Sequence, residues 1–275
     1  MAPYKDGMAK HEHDGYFTPE DAIWRVGREV ALLLGGGRAL LLQVAHPLVA
    51  AGVAEHSSYR ENPWQRLEGT LNAVWSVVYG RRREADRAAA RVRAMHARVE
   101  GRLAEPAGPF PKGTRYSALD PALLMWVHAT LVDTALLVHD RWVRPLDASA
   151  RSAYFEDMKV CARLFGTPED VMPGSYEEFR SYMDRMLDGD ELCVTPTARD
   201  IARTVLRPPL PLALRPAMEV VNVVTASLMP PRLRRDYGLS WDAPRAAVTR
   251  VSQEWVRRVA MPLLPGRLRH VPASG

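Results

Sequence analysis

The chain has very little cysteine and very little lysine, and each shortage narrows what it can be. Among its 275 residues there are two cysteines, Cys161 and Cys193. They form no CxxC or Cys/His spacing and sit in hydrophobic or helical surroundings. This excludes a secreted disulfide framework and a cysteine-based zinc site, and a reducing cytoplasm is the expected compartment. Four lysines stand against thirty-three arginines, for a formal charge of +5. The arginines are spread among nearly as many carboxylates. The basic clusters at Arg81 to Arg87 and Pro230 to Gly238 have no stacking aromatics between them, so nucleic acid is not an expected partner.

Several catalytic signatures are also missing. There is no HExxH pair and no ExxH on an expected helix, which argues against a mononuclear zinc hydrolase and a di-iron bundle. There is no GxSxG elbow, no P-loop and no GxGxxG after a strand. The Gly35-Gly36-Gly37 run follows a leucine-rich stretch and reads as a break between helices. The N-terminus, MAPYKDGMAKHEHDG, has neither the basic start and apolar stretch of a signal peptide nor a twin arginine, so the mature chain is expected to begin here. An unbroken membrane span is lacking too. Ala31 to Val53 is long enough to cross a bilayer, but Arg38, Gln43 and His46-Pro47 interrupt it. Those groups are costly in hydrocarbon, whereas buried helices can pair them internally. The segment is read as two or three helices crossing a protein core.

What the chain does have is apolar spacing of helical period over most of its length, with 47% hydrophobic residues, enough for one large core. The expected fold is all-α: a single multi-helix domain over residues 18–260, between a flexible N-terminus (1–17) and a flexible tail (261–275). Thr18-Pro19-Glu20-Asp21 predicts a helix to about Leu34. Asn62-Pro63 opens another to Gly80. A third is expected from Glu84 to a stop at Gly101, and Asp120-Pro121 starts a fourth reaching Asp140. Further helices are expected at Ala148 to Phe165, Ser175 to Asp188, Thr197 to Leu206, Leu212 to Leu228 and Ala243 to Val259. The stretch EPAGPFPKGTRYSA between the third and fourth is a loop rich in proline and glycine.

The chemistry concentrates on helix histidines. His46, His96 and His128 lie on faces that also carry core residues, and a buried imidazole needs a partner for each ring nitrogen. His96 is in line with Val92, Val99 and Leu103, where an axial ligand to haem iron would sit. Taken alone, spacing favours a core histidine hydrogen-bonded at both ends. Arg66 and Thr70 lie one turn apart beside the stripe Leu67, Leu71, Val74 and Val78. They suit a cofactor propionate or a protein carboxylate such as Glu55, Glu68 or Glu100, and spacing alone favours a structural salt bridge.

Five blocks carry a resemblance: LLLQVAHPLVAAGVAEHS, PWQRLEGTLNAVWSVVYG, MHARVEG, YSALDPALLMWVHATLVDT and LMPPRLRRDYGLSW. In this order, over roughly Trp24 to Arg258, the chain resembles the family of rubber oxygenase (latex-clearing protein) and MpaB-like oxygenase catalytic domains. The resemblance implies a globin-like helical core holding haem b, with the iron ligated by His96. It implies that Arg66 and Thr70, matching an RxxxT signature, line the haem site, with His128 close by and His46 on the distal or propionate side. Rubber oxygenases carry a lysine next to the signature threonine and are exported. Gly69 stands at that position here, which puts polyisoprene cleavage in doubt.

The implied activity is that of a haem-dependent oxidoreductase using dioxygen on a hydrophobic small molecule. A second reading is a non-catalytic haem- or lipid-binding helical protein in peripheral contact with a membrane, for which the proline-, leucine- and arginine-rich stretch Leu206 to Arg235 is the motive.

Overall fold

The structure, a computed structural model, describes residues 14–57, 59, 63–209 and 211–271, and for residues 63–67 and 214 the backbone alone. The expected all-α class holds. The helices are α1 Ala22–Gly27, α2 Gly36–Ala45, α3 Pro47–His56, α4 Pro63–Tyr79, α5 Arg82–His96, α6 Pro121–Val138 and α7 Ala148–Phe165. They continue with α8 Tyr176–Asp188, α9 Pro196–Leu206, α10 Arg215–Leu228, α11 Pro231–Asp236, α12 Ala243–Trp255, α13 Met261–Leu263 and α14 Gly266–Arg269. A two-stranded antiparallel hairpin, β1 Glu100–Arg102 with β2 Arg115–Ser117, stands beside them.

Local chemistry sets many of the helix starts. The side chain of Asp120 accepts hydrogen bonds from the Ala122 and Leu123 amides ahead of Pro121. Asp147, Ser175, Thr195 and Asp242 each cap the following helix in the same way. Such a cap stabilises by about 1 kcal/mol. Gly166, at φ +102°, closes α7 in the left-handed conformation that glycine adopts without a Cβ penalty.

Packing corrects several expected boundaries. The first helix begins at Ala22, because the Asp21 carboxylate accepts from both the amide and the hydroxyl of Thr18, at 2.6 and 3.0 Å, and closes a turn there. It ends at Gly27, where Glu29 turns inward, and a 3-10 turn over Val30–Gly35 follows. α5 ends at His96 instead of Gly101, since Glu100–Arg102 is taken up by pairing with Arg115–Ser117. α6 and α12 each pass into a π-turn, His139–Val143 and Val256–Ala260.

Residues 261–271, expected as a loose tail, are docked. Met261 is buried, Arg269 forms a two-pronged ion pair with the buried Glu29 at 2.8 Å, and His270 bridges Glu29 through the backbone. At the other end Phe17 lies in the main core.

Trp126 on α6, Phe155 on α7 and Phe179 on α8 are among the largest fully enclosed side chains, each contributing about 1.5–3 kcal/mol by leaving water. The Ala31 to Val53 segment folds as a 3-10 turn, α2 and α3, with a bend of 105° at the His46-Pro47 step. Its polar groups are paired internally, as expected. Arg38 donates from Nε to the Leu228 carbonyl (2.9 Å), from one terminal nitrogen to Thr134 Oγ1 (2.6 Å) and from the other to Asp133 (2.7 Å). Gln43 donates to Thr130. Asp133 takes its second partner from Arg180 at 2.6 Å, so one buried carboxylate ties α2, α6 and α8 together. Among the described residues, Pro121–Val143 is a single helical stretch long and apolar enough to cross a membrane, and 67% of its most apolar window is buried against the rest of the fold.

Candidate functional site

The bend at His46-Pro47, the end of α5 and the start of α6 meet around a small apolar cluster. Leu48 from α3, Leu103, Tyr116 from β2 and Leu123 from α6 form it, with Val99 and Phe110 packed against it. Each helix histidine is a near neighbour in sequence: His46 precedes Leu48 by two residues, His96 precedes Val99 by three, and His128 follows Leu123 by five. The close approach of α3 depends on Gly52, where a Cβ would meet Val99 Cγ1 at 3.2 Å and the Tyr116 ring at 3.7 Å. Among the described residues, no hydrogen bond, ion pair or ring contact joins the three histidines to one another.

His46 is buried and well held. Its Nδ1 accepts from the Leu48 amide at 3.3 Å, which caps α3, and its ring lies on Phe110 with centroids 5.2 Å apart. Nε2 is 3.8 Å from a Glu191 carboxylate oxygen. Burial lowers its pKa to about 4 against a small opposing pull from Asp120, so the ring is neutral near pH 7. With Nδ1 accepting, the proton sits on Nε2, on the Glu191 side.

His96 and His128 differ from it. His96 occupies the last turn of α5, half-buried, and its Nδ1 is wholly enclosed with no hydrogen-bond partner among the described residues. Burial lowers its pKa. His128 is buried on α6, its Nε2 likewise enclosed and unpaired, and burial pulls its pKa to about 4. A neutral imidazole with an unmet buried nitrogen costs about 1–3 kcal/mol if nothing else satisfies it. The alternative of a core histidine hydrogen-bonded at both ends does not describe either residue.

The other two sequence candidates lie on α4. The side chain of Arg66 is outside the described residues. Thr70 is exposed on the N-terminal half of the helix, whereas Val77, Val78 and Tyr79 at its far end are buried. Of the carboxylates proposed for Arg66, Glu68 and Glu100 are exposed.

Glu55 is engaged elsewhere, in an arrangement the sequence reading missed. Tyr116 donates its hydroxyl to Glu55 at 2.5 Å and lies 3.4 Å from His56 Nε2, which also meets the Glu100 carbonyl at 3.1 Å. Burial, and then the Glu55 carboxylate, raise the Tyr116 pKa. Beside this group is a cleft of about 390 Å³ lined by Glu100, Arg102, Arg115, Tyr116 and Asp120. Tyr116 is more than fifty residues from Glu55, so no local spacing signals the pair.

Among the described residues there is no cluster of three or more histidine, cysteine or acidic side chains able to chelate a metal ion. Haem iron makes a smaller demand, because the porphyrin supplies four nitrogens and the protein one axial ligand. A neutral, enclosed imidazole at the end of a helix meets that demand, so the donor set fits the group the resemblance implies.

Fold and family together define an all-helical oxygenase catalytic domain. The chain belongs to the family described as ER-bound oxygenase mpaB/B'/rubber oxygenase, catalytic domain, whose model matches residues 24–269. It is similar to an uncharacterised protein of Mycobacterium tuberculosis and to one of Mycobacterium bovis. Each is 29% identical over 240 residues, which cover 83% of this chain and 88% of the relative. No solved structure matches the chain significantly.

Proposed function

We propose that this chain is a haem b-dependent oxygenase acting with dioxygen on a hydrophobic small molecule, with His96 as the iron ligand. The enclosed, unpartnered Nδ1 of His96 carries the reading, because in the tautomer protonated at Nε2 it holds a lone pair that no described residue uses, which is what an iron ligand requires. Bound haem supplies the redox chemistry with dioxygen. The remaining tasks fall to the chain. Arg66 offers a two-pronged donor for a propionate carboxylate, with the Thr70 hydroxyl one turn on. Leu48, Val99, Leu103 and Leu123 exclude water and give a hydrophobic substrate its contact surface. His128 presents a buried neutral ring about one and a half turns along α6 from Leu123, and His46, fixed by Leu48 and Phe110, holds the bend that brings α3 over the apolar cluster.

The visible spectrum of the purified protein, as isolated, after dithionite and after haem addition, is the first test. A Soret band with one b-type haem per chain is expected. His96→Ala should lose haem and keep its helical circular dichroism, and Arg66→Ala should weaken haem affinity with the axial signature intact. A His96→Ala protein with an unchanged haem spectrum rejects the ligand assignment.

The second reading draws on Leu212 and Val220, which are 75% and 62% exposed within the stretch first noted for its leucines and arginines. A protein that takes up no haem but co-sediments with liposomes would favour peripheral lipid binding without turnover.

A further inference from the structure

Away from His46, His96 and His128, a cavity of about 580 Å³ opens between α1, the π-turn after α6, the first turns of α7 and the docked C-terminal segment. Four arginines line it: Arg25, Arg28, Arg144 and Arg269. Glu29 and Asp147 are the acidic residues in its wall. Both are already committed, Glu29 to the two-pronged pair with Arg269 and Asp147 to capping α7 through the Ala150 amide. That leaves Arg25, Arg28 and Arg144 facing the cavity with no carboxylate within ion-pair distance among the described residues. Arg28 is the sharpest case, since its Nε is completely enclosed and has no acceptor. A guanidinium donor shut away from water without an acceptor is costly, and three like charges around one space repel.

His139, 2% exposed, lines the cavity as a neutral ring; its Nδ1 donates to the Arg144 carbonyl at 2.8 Å and so holds the backbone that carries Arg144. Ser149 and Ala150 bring in the first turn of α7, an eighteen-residue helix whose N-terminal dipole favours negative charge. Ala22, Val26, Leu146 and Ala153 give the remaining wall an apolar character.

We propose that this cavity is a binding site for a phosphate-type oxyanion, held by Arg28 and Arg144 with Arg25 at the rim. A compact tetrahedral dianion carries twice the charge of a carboxylate and has three or more acceptor oxygens to set against several guanidinium forks at once. The volume exceeds what inorganic phosphate needs, so a phosphate monoester with a small apolar group fits the space and the mixed lining best. This site is independent of the haem reading, because it shares no residue with His46, His96, His128 or the apolar cluster near them.

The experiment is calorimetric titration of the full-length protein with inorganic phosphate, propyl phosphate and succinate, at constant ionic strength. Saturable binding of the two phosphates is expected, with succinate at least about tenfold weaker, and tighter binding of the ester than of phosphate identifies the ester as the better ligand. Arg144→Gln, at an exposed position where folding is not at risk, and Arg28→Gln should each weaken phosphate binding about tenfold or more. Absence of saturable binding, or equal binding by wild type and Arg144→Gln, overturns the proposal. A succinate affinity matching that of phosphate overturns the phosphate assignment.

Discussion

Two buried polar regions of this molecule lie on the same helix, α6, and are built on opposite terms. Around Asp133 every strong group has a partner: Arg38 satisfies Thr134, Asp133 and the Leu228 carbonyl, and Arg180 takes the second carboxylate oxygen. Little more than one turn earlier, His128 has an enclosed Nε2 with nothing to meet it, and His96 at the end of α5 shares that condition. A satisfied network fixes how α2, α6 and α8 sit against one another. Unsatisfied neutral rings do not help the fold, so their placement is better explained by something they bind than by stability. On the proposed reading, the difference separates the part of α6 that holds the structure from the part offered to a ligand.

The largest effect should come from breaking the satisfied region. Asp133→Ala leaves the buried Arg38 without its counter-charge, and loss of one partner from such a pair costs about 3–5 kcal/mol. Urea denaturation should show a midpoint lowered accordingly, if the variant folds at all. A midpoint within error of wild type would mean that Arg38 finds other acceptors and that the contrast with His128 is not one of stability.

Next in size is an acid response. His46 and His128 have folded pKa values of about 4 against an ordinary 6.5. Between those limits the unfolded chain binds more protons, so stability falls as pH drops from about 6.5 to about 4 and is unaffected by these two rings above that window. The full shift corresponds to about 3 kcal/mol for each ring. Denaturation curves at pH 7 and pH 5.5, partway down the window, should differ by about 3 kcal/mol for the two rings together, and a flat profile across the window would show that the rings reach solvent in the folded state.

Much of this was legible in the residues. The helices expected from Asp120-Pro121, Ala148 and Ser175 begin where Asp120, Asp147 and Ser175 cap them, because capping is a contact between near neighbours in sequence; the one expected from Thr197 starts a residue earlier, capped by Thr195. That Arg38 and Gln43 would be paired inside the protein followed from the cost of leaving them bare. Their partners, Asp133 and Thr130, could not be read, since they lie about ninety residues away. The hairpin ending α5 at His96 and the docking of Arg269 on Glu29 were missed for the same reason: each is specified by a distant segment, and local glycine and proline pointed to a stop or a loose end. Of the candidate site, the histidines on core faces were readable. Which of them had spare nitrogens was not, and the Tyr116–Glu55 contact had no local trace.

The smallest expected effect is the most discriminating. His128→Leu replaces an enclosed ring with an unmet nitrogen by an apolar side chain of similar volume and different shape. The cost of repacking around that shape is offset by removal of the unsatisfied group, so stability at pH 7 should change by less than about 1.5 kcal/mol in either direction. The acid response should also shrink, because one of its two strongly shifted rings is gone. If His128 instead serves the fold as Asp133 does, the variant will be destabilised by several kcal/mol at pH 7, and the division of α6 into a holding part and an offered part fails. A near-neutral change in stability with a weakened haem spectrum would place His128 on the ligand side of that division; a near-neutral change with an unaltered spectrum would leave His96 to carry the site without it.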